Sequence, residues 1–147
     1  YGRIVQLFLR SNQFNMTTTR YSLNEIENIR KDKNHITFQF SFRDKFSNYG
    51  IVSLIVGTIK KNCLYIDNWV MSCRVLNRTL EIFIINYLRK YSKMKNIKKI
   101  IGIFKPTKKN SLVEMLYTKL DFNKKNNLHF EYDVNFNVTK KTYIDEK

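Results

Sequence analysis

Polar and apolar residues alternate most cleanly between His35 and Arg43. Ile36, Phe38, Phe40 and Phe42 fall on one side, and Thr37, Gln39 and Ser41 on the other. A period of two predicts a half-buried strand. The turn-forming stretch Asp44–Gly50 leads into Ile51–Ile59, an almost wholly apolar run that reads as a central strand. Lys60-Lys61-Asn62 is a turn and Cys63–Cys73 a third strand, so the three form an antiparallel meander. Upstream, Phe14–Arg20 is a polar, Thr-rich strand candidate. Ser22-Leu23-Asn24-Glu25 is a capping box, which starts a helix running to about Lys31.

Downstream the period changes. Arg78–Tyr91 places Leu80, Phe83, Ile84, Tyr87, Leu88 and Tyr91 on one helical face. Ile97–Phe104 is a short apolar strand stopped by Pro106. From Asn110 to Lys119 a second helix is predicted, with Leu112, Val113, Leu116 and Leu120 at helical spacing and Tyr117 on the same inward face. Leu128–Val138 alternates throughout, as a strand with one side toward solvent or a partner. The order predicts an α/β (α+β) fold: a mixed, mostly antiparallel sheet flanked by helices. No repeat or linker interrupts it, so residues 1–147 are expected to form one domain. A chain that opens on Tyr1 rather than Met is expected to be trimmed or cut from a longer protein. No apolar run reaches bilayer length and no signal pattern opens the chain. The expectation is a cytoplasmic domain without a membrane partner.

The formal net charge of +15 changes the picture of partners. It favours anions: coenzyme A, an acidic carrier protein or nucleic acid. Biased coding composition accounts for it equally well, since Lys, Asn and Ile are all abundant and only Lys105, Lys108, Lys109, Lys124 and Lys125 are grouped. Without a basic-aromatic recognition motif, nucleic acid ranks last. Cys63 and Cys73, on one extended strand, would lie roughly 33 Å apart at about 3.3 Å per residue. That is far beyond disulfide reach and agrees with a reducing compartment. His35 and His129 stand alone, so no metal site is expected.

Four side chains are candidates for chemistry. Tyr117 could protonate a departing thiolate, or be one more core aromatic. Cys73 closes a strand beside Arg74 and a helix start, where a thiol is activated and could carry an acyl group as a thioester. It could equally be a small buried hydrophobe. Asp67 and Glu114 are the acids nearest the presumed cleft, each a possible general base or a solvated carboxylate. Between strand and helix, residues 74–79 form a loop ahead of free helical N–H groups, which suits an anion.

This order of elements resembles the GNAT (Gcn5-related N-acetyltransferase) fold. The GNAT loop pattern Arg/Gln-x-x-Gly-x-Gly/Ala is matched by Arg74-Val75-Leu76-Asn77-Arg78-Thr79. The GNAT pattern Asn-x-x-Ala-x-x-x-Tyr followed by Gly-Phe is matched in spacing by Asn110, Val113, Tyr117 and Asp121-Phe122. A second resemblance spans nearly the whole chain. It rests on Asn12-Gln13-Phe14-Asn15, Thr18-Thr19-Arg20-Tyr21, Arg43-Asp44, Trp69, Met71-Ser72-Cys73-Arg74-Val75-Leu76, Arg78, Glu81, Pro106-Thr107 and Lys109-Asn110. These segments are similar to the C-terminal GNAT-like domain of FkbH-like proteins. That family joins a HAD-type phosphatase to a GNAT-like domain and is implicated in moving a glyceryl unit onto an acyl carrier protein for polyketide extender units.

The resemblance implies an acyltransferase-type domain that binds a phosphopantetheine thiol, from coenzyme A or an acyl carrier protein, with an N-terminal HAD-type domain as partner. Tyr117, placed in the cleft by the GNAT spacing, is the expected catalytic residue, with Cys73 and Asp67 from their positions beside it. The arm would be held by Val70, Met71, Cys73, Arg74, Val75, Leu76, Asn77, Arg78, Thr79 and Asn110. Asn77, Thr79 and Asp121 stand where the GNAT patterns have glycine. Asn and Asp tolerate left-handed backbone, whereas Thr79 would crowd a pyrophosphate. Weak or absent acetyl-CoA binding is therefore expected. The alternative is a non-catalytic module that docks a carrier protein.

Overall fold

The computed structural model describes residues 2–11 and 13–146. Helices α1 (Gly2–Arg10) and α2 (Leu23–Lys31) precede strands β1 (His35–Arg43), β2 (Asn48–Lys60) and β3 (Cys63–Met71). Helix α3 (Leu80–Met94), strand β4 (Lys99–Ile103), the single-turn helix α4 (Leu116–Lys119) and strands β5 (Asn123–Lys124) and β6 (His129–Asp133) follow. The strands form one sheet in the order β1-β2-β3-β4-β6-β5. Every pairing is antiparallel except β3 with β4, which the α3 crossover makes parallel. The predicted mixed, mostly antiparallel sheet with flanking helices is what forms.

Local chemistry sets the element ends. The Ser22 hydroxyl accepts from the Glu25 N–H and the Glu25 carboxylate accepts from the Ser22 N–H, closing the capping box of α2. Helix α3 buries Leu80, Ile84, Ile85 and Leu88. It ends where Asn96 takes a left-handed φ of 57° and the Ile97 N–H returns to the Ser92 carbonyl, the paired C-terminal cap that glycine usually provides. The sheet separates two apolar clusters. Leu64, Ile66, Trp69 and Met71 pack with Phe38, Phe40 and α3, and the Tyr87 and Tyr91 rings meet Phe38 edge-on. Leu54, Val56 and Val70 pack on the other face with Ile4, Leu7 and Phe8 of α1 and Ile26 of α2. No helix among the described residues is long and apolar enough to cross a membrane.

The structure departs from the expected elements in four places. Helix α1 was not foreseen. Of Phe14–Arg20 only the first three residues pair in strand fashion, through one isolated bridge of Asn15 with Val70. Asn110–Lys119 is not one helix: a 3-10 turn at Ser111–Val113 precedes α4. The alternation of Leu128–Val138 forms a strand only to Asp133. There the carboxylate accepts the N–H groups of Asn135 and Phe136, turning the chain away and leaving Phe136 exposed.

Candidate functional site: the gap between strands 3 and 4

Strands β3 and β4 pair only from Cys63–Lys99 to Ile66–Gly102. Beyond Ile66 the strands part. The cause is a bulge: Gly57 of β2 faces Ile66 and Val56 faces Asn68, so Asp67 is the extra residue. The bulge also reverses which side chains face α3, from Leu64 and Ile66 to Trp69 and Met71. Strands β3 and β4 thus splay apart from Asp67 onward.

The gap they leave is filled by the chain itself. The Met71 N–H donates to the Phe14 carbonyl at 3.1 Å, and the Met16 N–H to the Trp69 carbonyl at 3.0 Å. On the other side the Lys105 N–H donates to the Met16 carbonyl at 2.8 Å. Residues 14–16 thus act as a short strand wedged between β3 and the continuation of β4. Phe14 and Met16 are fully buried, with the Phe14 ring edge-on to Trp69 at 5.2 Å.

Two buried asparagines fix the wedge. Asn68 Oδ1 accepts from the Thr17 N–H and its Nδ2 donates to the Thr19 carbonyl. Asn110 Nδ2 donates to the carbonyls of Asn15 and Lys105, both at 2.9 Å, while its Oδ1 accepts from the Thr107 N–H and hydroxyl. Asn110 is wholly buried. It precedes the 3-10 turn as expected of an opening residue, but its side chain makes no capping bond and clamps this corner instead. Asn68 was missed by sequence reasoning. Its only signal is a polar residue between Ile66 and Trp69 in an otherwise apolar strand.

Tyr117 is also wholly buried, its ring among Trp69, Phe122 and Phe130 at centroid distances of 6.1, 4.8 and 5.6 Å. Its hydroxyl has no hydrogen bond of good geometry. Burial first, and then the charge of Asp67, drive its pKa far up, with the Ile103 backbone opposing only in part. Asp67 is half-buried and accepts from the Thr58 hydroxyl; burial pushes its pKa up as well. Tyr117 and Asp67 are thus electrostatic neighbours. Cys73 is exposed, in a 3-10 turn rather than on the strand, with Sγ 3.8 Å from Gln13 Oε1. Val70, Met71 and Val75 are core residues. Glu114 lies on the surface of the 110–115 turn.

The loop before α3 keeps the expected backbone. Asn77, Thr79 and Asp121, the three residues in place of glycine, have φ of 61°, 62° and 71°. Thr79 holds this geometry although β-branched, and its side chain is engaged. Its hydroxyl lies 2.8 Å from that of Thr142 and accepts from the Tyr143 N–H. The chain from Asn137 runs back along α3, held by Arg89 Nε on the Asn137 carbonyl and Asn86 Nδ2 on the Lys140 carbonyl. The loop arginines are engaged too. Arg78 pairs with Asp44 at 3.0 Å and lies over the Phe42 ring; Arg74 reaches the Tyr49 carbonyl. Hydrogen bonding to Arg78 lowers the Asp44 pKa to about 2.

A pantetheine arm would need the β3 edge at Val70–Cys73, and a pyrophosphate would need the start of α3. Residues 14–16 take the first; at the second, Thr79 bonds to Thr142 and Tyr143, and Glu81 lies in the first turn. In this conformation the β3 edge is closed to a pantetheine arm. Among the described residues no group of His, Cys, Asp and Glu could hold a metal ion. A groove of about 870 Å³ lies elsewhere, along the outer edge of β1 beneath Phe83 and Tyr87.

No protein-family model and no curated protein matches the chain. Solved structures do. The GNAT domain of PAT from S. lividans superposes with a TM-score of 0.68 at 8% identity, covering 90% of this chain and 84% of that one. The ribosomal-protein-S18-alanine N-acetyltransferase of Escherichia coli gives 0.65 at 10% identity over 88% and 84%. The PaiA N-acetyltransferase of Thermoplasma acidophilum, solved in complex with coenzyme A, gives 0.56 at 16% identity over 76% and 68%. The fold is that of the GNAT acetyltransferases.

Proposed function

We propose that this is a GNAT-fold module that docks an acyl carrier protein for chemistry performed by a partner domain. The observation that carries this reading is the strand wedge at Phe14–Met16, which uses the β3 edge that a thioester arm would need. The net charge of +15 suits an acidic carrier. A HAD-type phosphatase domain is the partner that the sequence resemblance supplies. Free Cys63 and Cys73 are compatible with a reducing, cytoplasmic setting.

A second reading is acyl transfer itself, on the phosphopantetheine thiol of a carrier or of coenzyme A. The parting of β3 and β4 at the Asp67 bulge, next to Tyr117, favours it, as does the shared fold. It requires residues 14–16 to leave the gap.

Binding and single-turnover assays with an acyl-loaded carrier protein separate the two. Docking predicts salt-sensitive binding with the acyl group still on the carrier after prolonged incubation. Transfer of the label to an acceptor or to the domain overturns docking in favour of catalysis. Absence of carrier binding overturns docking, and absence of binding to acyl-coenzyme A as well overturns transfer.

A further inference from the structure

We propose that the recess between Thr18–Arg20 and Thr107–Lys109 is a binding site for a phosphate ester. It stands apart from the loop before α3 and does not depend on the docking reading. The recess has a volume of about 490 Å³ and is lined by Asn15, Thr18, Arg20, Thr107, Lys108 and Lys109. Three of these six are cationic and none is acidic. Lys108 and Lys109 make no ion pair among the described residues. A concave surface lined by one sign of charge focuses potential onto an anion. The volume exceeds what a bare phosphate fills and falls within the range of small-molecule sites, so the phosphate is taken to carry an organic group.

The walls are built rather than incidental. They come from chain segments far apart in sequence, and Asn110, wholly buried, joins them through Asn15 and Thr107. The Thr107 hydroxyl accepts the N–H groups of Lys109 and Asn110, which fixes the turn carrying both lysines. On the facing wall, Thr18 is held at a φ of 61°, a conformation costly for a β-branched residue. Asn15 supports that wall, donating from Nδ2 to the Thr19 carbonyl. The two backbone segments are thus held face to face, and only the exposed side chains remain to be ordered when an anion arrives.

The test is an amide NMR titration of the full chain with inorganic phosphate and with pantetheine 4′-phosphate. Saturable shifts centred on residues 18–20 and 107–109 are expected, with the ester binding more tightly than phosphate. Lys108→Glu/Lys109→Glu should weaken both by at least about tenfold. Lys31→Glu/Lys33→Glu, the same charge change on the exposed end of α2, should not. Unsaturable shifts, or equal loss in the two double variants, would show general cation attraction and overturn the site. Comparing holo- with apo-carrier separates a carrier-borne phosphate ester from a free one. Carrier binding that ignores Lys108→Glu/Lys109→Glu, together with no response to the free ester, overturns this site and leaves the docking proposal standing.

Discussion

The ring of Tyr117 packs directly on the backbone of Gly102 in β4. A Cβ at residue 102 would come within 2.5 Å of the ring's Cε1 and Cζ. Glycine inside a strand ordinarily weakens it, and here close approach explains it. Gly102→Ala would force the ring, and with it Phe122 and Phe130, to move. Overpacking of this kind costs about 1–3 kcal/mol, and each of those kcal/mol lowers the Tm of a domain near this size by roughly 2–4 °C. Thermal melting should show a fall of roughly 2–12 °C; an unchanged Tm would mean that the ring has room to retreat.

Tyr117→Phe has the opposite character. The hydroxyl is buried without a good partner, so its removal leaves nothing newly unpaired. Stability should stay within about 1 kcal/mol of the parent or rise. Urea denaturation that shows a larger loss would reveal a hydrogen bond with the Ile103 backbone stronger than the geometry indicates. In a chain that does transfer acyl groups, the same variant would retain its fold while turnover falls, which separates packing from proton donation.

Ser53 links β2 to the gap. Its hydroxyl donates to the Val70 carbonyl at 2.8 Å and accepts from Trp69 Nε1 at 3.1 Å. All three residues are buried. Ser53→Ala strands the indole N–H in an apolar core, at a cost of about 1–3 kcal/mol. A lowered urea midpoint with an unchanged m-value is the expected result. A midpoint equal to the parent's would mean that Trp69 has rotated to another acceptor.

These residues show which parts of the molecule could be read in advance. The alternation at Ile36–Phe42, the capping box at Ser22–Glu25 and the spacing of Leu80, Ile84 and Leu88 are local signals, and each became the expected element. Helix α1 carries Ile4, Leu7 and Phe8 at helical spacing, a signal short enough to pass unnoticed. The wedge could not be read locally. Phe14–Thr17 is polar in part, and Asn68, which holds it, lies 51 residues from Thr17. The bulge at Asp67 is likewise invisible without its partner strand. Asn110 carries the spacing of a helix start, yet its donors and acceptors are spent on a turn and on Asn15, a contact spanning 95 residues. Local patterning set the elements, and long-range polar pairing decided what fills the space between them.

The pairing of Asp44 with Arg78 makes stability depend on acid. Asp44 is lowered from an ordinary 3.8 to about 2, first by Arg78 and then by the Phe46 N–H. A depressed carboxylate stabilises the fold fully above its unfolded value and loses that contribution as pH falls through the folded one. The window is therefore about pH 4 down to about 2. Asp44→Asn should be less stable than the parent at pH 5, with the difference shrinking by pH 2. Urea midpoints at the two values check it; a gap that is constant with pH would assign the effect to the Asx turn at 44–47 rather than to charge.

Asn110 offers the most direct hold on the wedge itself. Asn110→Ala leaves the Asn15 and Lys105 carbonyls and the Thr107 N–H without their partner. At about 1–3 kcal/mol for a buried polar group left unpaired, the corner should loosen before the sheet does. Amide hydrogen exchange should therefore quicken at Met16, Met71 and Lys105, whose N–H groups make the wedge bonds, by tenfold or more for each 1.4 kcal/mol lost (roughly). Protection at Ile55 and Val56 in the centre of β2 should fall only as far as global stability falls. If both regions lose protection equally, the wedge is an integral part of the fold and does not open separately, and acyl transfer through this gap is excluded. If the wedge opens alone, the same variant should bind an acyl-pantetheine thioester that the parent refuses, which titration calorimetry would register directly.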